Sequence, residues 1–159
     1  WLQDISPVDN LWSTLLSIVH PEAHKAGMDA ISALKGAVVT KIPVTWHSPF
    51  SGIDLIANRL TPGHRDAGGA ATFYDLLVSL GEGHQATLHI EDVKAELAYK
   101  PGTGVFITGR ILEHAIPRWE GGERVALAYY MKDKVHDKLG VPRPTLPMQK
   151  GWLMTCTGR

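Results

Sequence analysis

The stretch NRLTPGHRDAGGAATFYDLLVSLG, residues 58–81, decides how this chain is read. It leaves a β-like run, turns through Pro62 and Gly63, and delivers His64 and Asp66 two positions apart. In extended backbone, residues two apart share a face, so this imidazole and carboxylate can converge. His114 follows 50 residues after His64, and Arg124 ten residues after that, each at the start of a strand-like run. Two imidazoles and one carboxylate form the facial donor set that leaves iron positions open for a co-substrate and O₂. A lone His-x-Asp arises often by chance. The trailing His and Arg, in a β-rich context, give the pattern its weight. An arginine at position 124 can grip a distal carboxylate through two parallel hydrogen bonds. Its alternative reading is a surface residue on an edge strand. Zinc also accepts two His and one carboxylate, but it would leave the trailing Arg without a purpose.

Working outward, short β-like runs separated by Gly, Pro and Asp turns extend from Ala37 to Met131. They cover Ala37 to Pro43, Ile53 to Arg59, Gln85 to Ile90, Glu96 to Tyr99, Gly104 to Gly109, Leu112 to Ile116 and Glu123 to Met131. So many short strands without alternating helices point to a sandwich or barrel. Tyr74 to Leu80 reads as a short helix within them. Ahead of this region, Leu11, Leu15, Leu16, Ile18 and Val19 form a helical face that Asp9 or Asn10 can cap, with Pro21 closing the segment. A second helix is expected from about Pro21 to Leu34, stopped by Gly36. After Gly140 the prolines 142, 144 and 147 imply an extended tail. The expected architecture is α+β: a helical segment over 1–36, a double-stranded β-helix (jelly-roll) core over 37–141, and an extended tail over 142–159.

Composition sets weaker bounds. Sixteen basic against 16 acidic residues give a formal net charge of zero, which removes the easiest argument for a polyanionic partner. Cys156 is the only cysteine, so no internal disulfide can form. No apolar run approaches the roughly 20 residues that span a bilayer. The opening Trp-Leu-Gln-Asp has neither Met nor a basic, then apolar, leader; it reads as the start of a fragment rather than a signal peptide.

The quoted stretch, together with LAYKPGTGVFITGRILEHAIPRWEGGERVALAYYM over 97–131, resembles the TET/JBP-like oxygenases of basidiomycete fungi. The likeness covers roughly Trp46 to Val141: Asn-Arg before His-x-Asp, Tyr-Asp-Leu-Leu after it, Pro-Gly-Thr, and Glu-Arg-Val on the last strand. It implies a double-stranded β-helix that uses Fe(II) and 2-oxoglutarate. His64, Asp66 and His114 would be the metal ligands, and Arg124 would hold the co-substrate. It further implies a nuclear enzyme acting on DNA, oxidising 5-methylcytosine to its hydroxymethyl, formyl and carboxyl forms. An iron site in a pocket cannot reach a stacked base, so the nucleotide must flip out.

Residues for that task are harder to read. Asn58 and Arg59 can contact 2-oxoglutarate or the base, or serve as a polar strand end. Tyr74, Tyr129 and Tyr130 can stack on a base, although adjacent Tyr129 and Tyr130 must face opposite sides. Arg65 suits a phosphate contact and a salt bridge equally. Trp119 reads as packing, and His84 and His89 as ordinary polar residues. Open alternatives are N6-methyladenine, RNA, a small metabolite, or a jelly-roll binding module without catalysis.

Overall fold

The computed structural model describes residues 3–37 and 46–146. Two helices come first, α1 (Ser6–Val19) and α2 (Pro21–Ala37). Pro7 sits in the first turn of α1, where its missing N–H costs nothing. Neither Asp9 nor Asn10 caps it, because the helix begins at Ser6 and Asp9 lies inside the first turn. The apolar face also differs from the expectation. Leu16 is fully buried, whereas Leu11, Ile18 and Val19 are exposed. The seam runs instead through Asp9, Trp12 and Leu16, at i, i+3 and i+7. Its largest contact is the Trp12 indole, edge-on to Phe106 and filling the space over Gly104. α2 continues through Gly36, past the stop expected there.

Among the described residues nine strands follow: β1 (Gly52–Ala57), β2 (Thr61–His64), β3 (Asp75–Glu82), β4 (Gln85–Ile90), β5 (Ala95–Ala98), β6 (Gly104–Ile107), β7 (His114–Ile116), β8 (Trp119–Glu120) and β9 (Glu123–Tyr130). They form two antiparallel sheets, ordered β1-β9-β3-β6 and β2-β7-β4-β5, with β8 paired to β4. This is a double-stranded β-helix with helices packed on one sheet, the expected α+β class. No helix among the described residues is long and apolar enough to cross a membrane.

Three local expectations are corrected. Tyr74 to Leu80 is not a helix but most of β3. Leu76 and Val78 face the helical layer while Leu77 faces the barrel, so both faces are covered and the strand reads as an unbroken apolar run. β2 was not foreseen because Pro62 and Gly63 disfavour a strand interior; it survives as a short edge. Residues 133–139, read as part of the β core, form α3 (Asp133–Leu139), closed by left-handed Gly140. The strand expected over Ala37 to Pro43 falls outside the described residues apart from Ala37, which ends α2.

Two apolar clusters result. One lies between helices and the first sheet, with Leu16, Phe50, Leu76 and Leu127 at its centre. The other fills part of the barrel with Leu88, Ile90, Ile107 and Ile116. In the first layer His136, 1% exposed, lies against Phe73 with ring centroids 4.8 Å apart. Burial pushes the His136 pKa below its ordinary value. The unfolded chain titrates this ring near pH 6.5, so below that pH it takes up a proton that the folded protein resists, and this residue's contribution falls with falling pH. Burial of Asp75 acts in the opposite sense, so a difference measurement is needed. His136→Phe is expected to gain stability relative to the parent as pH drops from 7.5 to 5.5, by at most about 1.4 kcal/mol per pH unit. Urea unfolding at both values checks this, and a pH-independent difference would refute it.

Candidate active site

The site is assembled where the chain crosses from one sheet to the other. Asn58 takes a left-handed turn (φ 48°), a conformation asparagine tolerates, and ends β1. Its N–H donates to the Arg124 carbonyl at 2.8 Å, and its Oδ1 accepts the Arg124 N–H at 2.9 Å. Asn58 is thus bound to the backbone of β9, and it is not among the residues that line the cavity, unlike Arg59. The chain then enters β2, whose last residue, His64, sits opposite His114, the first residue of β7. The metal-side histidine therefore belongs to its own strand in the second sheet, not to the exit of β1.

Asp66 follows in a loop, its N–H donating to the Gly109 carbonyl at 2.8 Å. His64 Nε2 lies 3.5 Å from Asp66 Oδ1, and His114 Nε2 lies 3.7 Å from Asp66 Oδ2. One ligand atom from each of the three residues falls within 4.8 Å of the others. Atoms around one ion with bonds of about 2.0–2.2 Å lie roughly 3–4 Å apart, so the cluster fits a single ion with little adjustment. The tautomers fit too. His64 Nδ1 is 2.9 Å from the Pro62 carbonyl and His114 Nδ1 is 3.1 Å from that of Leu112. A nitrogen facing a carbonyl must carry the hydrogen, which leaves both Nε2 lone pairs aimed at the cluster. His114 is buried, whereas His64 and Asp66 open to the mouth. Gly109 is required here, because a Cβ at that position would overlap the carboxylates of Asp66 and Asp75.

β9 carries the other half of the site. Its inward face reads Arg124, Ala126, Ala128 and Tyr130, so two small residues hollow out a cavity of about 350 Å³. Six residues of strand separate its ends by about 20 Å. Arg124 is 2% exposed and forms no ion pair among the described residues. Its Nη1 donates to the Arg59 carbonyl at 2.7 Å, and its buried Nε has no partner. Burial pulls its pKa below the usual value, and the nearby Arg59 adds to this. A buried, unmatched guanidinium is costly unless an anion completes it, and the cavity in front of it has room for a small dicarboxylate. The residues present thus fit both a ferrous ion and 2-oxoglutarate. Gly81, opposite Arg124 on β3, adopts φ +98° and has no space for a side chain against the Glu123 carbonyl.

At the mouth, Tyr130 presents its ring to the cavity, with its hydroxyl donating to Asp54 at 3.2 Å and the Lys132 ammonium 4.3 Å from the ring centre. Tyr129 turns the other way, which corrects its expectation as a stacking residue. Its ring tilts against Phe50 in the helical layer, and its hydroxyl donates to buried Asp9 at 2.9 Å. Of the two readings of Arg65, a phosphate contact or a salt bridge, the structure shows the salt bridge. Its guanidinium is engaged by Asp92 at 2.7 Å and Glu113 at 3.0 Å, and its Nε donates to the Ile111 carbonyl. Tyr74 packs edge-on with His20 in the helical layer. Trp119 packs on the barrel cluster and meets His84 edge-on, while His89 faces Glu96 across β4 and β5. Sequence reasoning missed Asp75, Tyr99, Asp54 and Lys132, all of which line the cavity. Burial, with Asp66 nearby, pushes the Asp75 pKa up to about 7. A lone acid in the apolar run Tyr74 to Leu80 was the available signal for it.

NgTET1, solved in complex with 5mC DNA, shares 16% identity at a TM-score of 0.50, over 70% of this chain and 44% of that one. The chain thus spans less than half the length of NgTET1. A cupin 2 conserved barrel domain protein from Salinispora arenicola CNS-205 aligns at 14% identity and a TM-score of 0.39, over 64% of this chain and 78% of that one. At 16% identity the likeness to NgTET1 speaks to the fold alone. No curated protein is significantly similar in sequence. The Tet_JBP family model, the oxygenase domain of the 2OGFeDO superfamily, matches residues 2–133. With most of the chain matched and a His-Asp-His cluster lining its cavity, this protein belongs to the Tet/JBP family of 2-oxoglutarate- and Fe(II)-dependent dioxygenases.

Proposed function

We propose that this dioxygenase oxidises the methyl group of 5-methylcytosine in DNA, through the hydroxymethyl to the formyl and carboxyl forms. In this reading His64, Asp66 and His114 ligate iron, and Arg124 holds the distal carboxylate of 2-oxoglutarate. Bound iron and 2-oxoglutarate would make O₂ the oxidant, one oxygen atom leaving in succinate as CO₂ is lost and the other entering the substrate's methyl group. The observation that carries the reading is the unpaired, buried Arg124 sharing one cavity with the three metal-type ligands. Burial within the barrel keeps water from competing for that guanidinium, and the Arg59 carbonyl fixes its fork. Tyr130 is the remaining candidate for an aromatic face against a flipped base. Asp54 can accept from an exocyclic amino group at its edge, and Lys132 can donate to a ring nitrogen or carbonyl. The substrate assignment draws on the likeness to NgTET1, whose solved complex contains 5mC DNA.

Paired oligonucleotides test it. Duplexes differing only in 5-methylcytosine or N6-methyladenine are incubated with Fe(II), ascorbate and 2-oxoglutarate, and nucleosides are read by mass spectrometry. Succinate formation coupled to 5-methylcytosine loss is the expected outcome. Coupling only to N6-methyladenine would overturn the substrate and leave the iron chemistry standing. Coupling to neither would point to RNA or a small molecule.

A further inference from the structure

The cavity holds hydrogen-bond donors that the protein itself leaves unused. Arg124 Nη1 donates to the Arg59 carbonyl, but Nη2 donates to no described residue and Nε has no partner. Tyr99 lines the same cavity. It follows β5, is 2% exposed, and belongs to the barrel cluster. Its hydroxyl makes no hydrogen bond among the described residues. Tyr129 and Tyr130, by contrast, each give theirs to a carboxylate, of Asp9 and Asp54 respectively. A buried phenol ordinarily finds such a partner.

The backbone fixes where Tyr99 stands. Its N–H donates to the Ala86 carbonyl on β4, and its carbonyl accepts from Ser79 Oγ on β3, both at 2.9 Å. Residue 99 is thus tied to both sheets. On β3, Ser79 and Gly81 share the inward face with Leu77, and they lie opposite Ala126 and Arg124 of β9. Tyr99 is therefore anchored one inward position along from Arg124. Burial pushes its phenol above the ordinary range, and the nearby Arg124 guanidinium opposes that rise. The phenol keeps its proton and can donate it. Two sets of unmatched donors, one of them cationic, fit an anion with two acceptor oxygens. Leu77 and Leu88 line the cavity as well, an apolar surface suited to methylene groups.

We propose that the Tyr99 hydroxyl is a second donor to the distal carboxylate of 2-oxoglutarate, sharing with Arg124 an anion that neither meets within the protein. This rests on the reading that Arg124 holds that carboxylate. Tyr99 then sets co-substrate specificity: a 2-oxo acid without the distal carboxylate leaves both donors buried and unpaired.

Calorimetric titration of Mn(II)-loaded protein tests this without turnover. Tyr99→Phe keeps the ring in the barrel cluster and removes only the hydroxyl. It is expected to bind 2-oxoglutarate roughly 10-fold more weakly than wild type, the loss of one hydrogen bond to a charged group, with Mn(II) affinity unchanged. 2-Oxopentanoate has the same chelating end and chain length but no distal carboxylate. Wild type and Tyr99→Phe should bind it equally. Weakened binding of both acids by Tyr99→Phe would show a distorted site and overturn the contact. Equal 2-oxoglutarate affinity in wild type and Tyr99→Phe, with Arg124→Lys weakened, would overturn the Tyr99 contact alone. If Arg124→Lys also binds 2-oxoglutarate as wild type does, the reading of Arg124 falls and takes Tyr99 with it.

Discussion

Asp66→Ala is expected to fold normally and to lose its iron. The Asp66 side chain is 40% exposed, so its removal leaves no buried void and no stranded core partner. The hydrogen bond from its N–H to the Gly109 carbonyl belongs to the backbone and survives. The loss at the metal is severe. Two neutral imidazoles remain, and the single anionic ligand that balances a divalent charge is gone. Removing a group that merely supports a ligand costs about 10–100-fold in affinity or activity, so losing the ligand itself should exceed about 100-fold. Anaerobic titration with Fe(II), alongside a melting curve recorded without metal, separates the two effects. Retained iron affinity would move the metal elsewhere, and a collapsed melting curve would make Asp66 a structural residue.

The triad could be found in the sequence because metal chemistry demands rare residue types at a fixed spacing, and backbone geometry then does the rest. His64, Asp66 and His114 converge as the spacing implied. The order of sheets was less legible. Strand β3 hides its alternation because Leu76 and Leu77 are covered from opposite sides, by helices and by barrel. Helix α1 misled for a related reason: Leu11 and Ile18 carry the apolar period, yet Trp12 and Leu16 meet the sheet. The choice between Tyr129 and Tyr130 depended on which face of β9 looks inward. Arg124 answers that, since residues six apart on a strand share a side. Arg65 could not be assigned from sequence, since its partners Asp92 and Glu113 lie 27 and 48 positions away.

The second large effect concerns Arg124→Lys. An ammonium keeps the charge but cannot offer two parallel donors, and the shorter reach abandons either the Arg59 carbonyl or the co-substrate. Hydrogen bonds to charged groups contribute about 1.5–3 kcal/mol, so losing one should weaken 2-oxoglutarate binding by roughly 10–150-fold. Calorimetric titration with 2-oxoglutarate, using Mn(II) in place of Fe(II), measures this directly, and the proposed DNA binding should be unchanged. Arg124 is 2% exposed, so no phosphate of a duplex can reach it. Unchanged 2-oxoglutarate affinity with collapsed DNA binding would therefore contradict both the role and the burial.

The hydrogen bond from Tyr129 to Asp9 says something about how this protein can be cut and recombined. The outer face of the first sheet is apolar at Leu76, Val78, Leu127 and Tyr129, and the two helices roof it. In that roof the Asp9 carboxyl is buried, which raises its pKa, and it accepts a hydrogen bond from the Tyr129 phenol of the barrel. Neither group could be left behind alone without a desolvated polar atom. The helical layer is therefore a third wall of the enzyme rather than an attachment. The smallest unit that an engineer could graft, shuffle or express begins ahead of Asp9, not at the first strand.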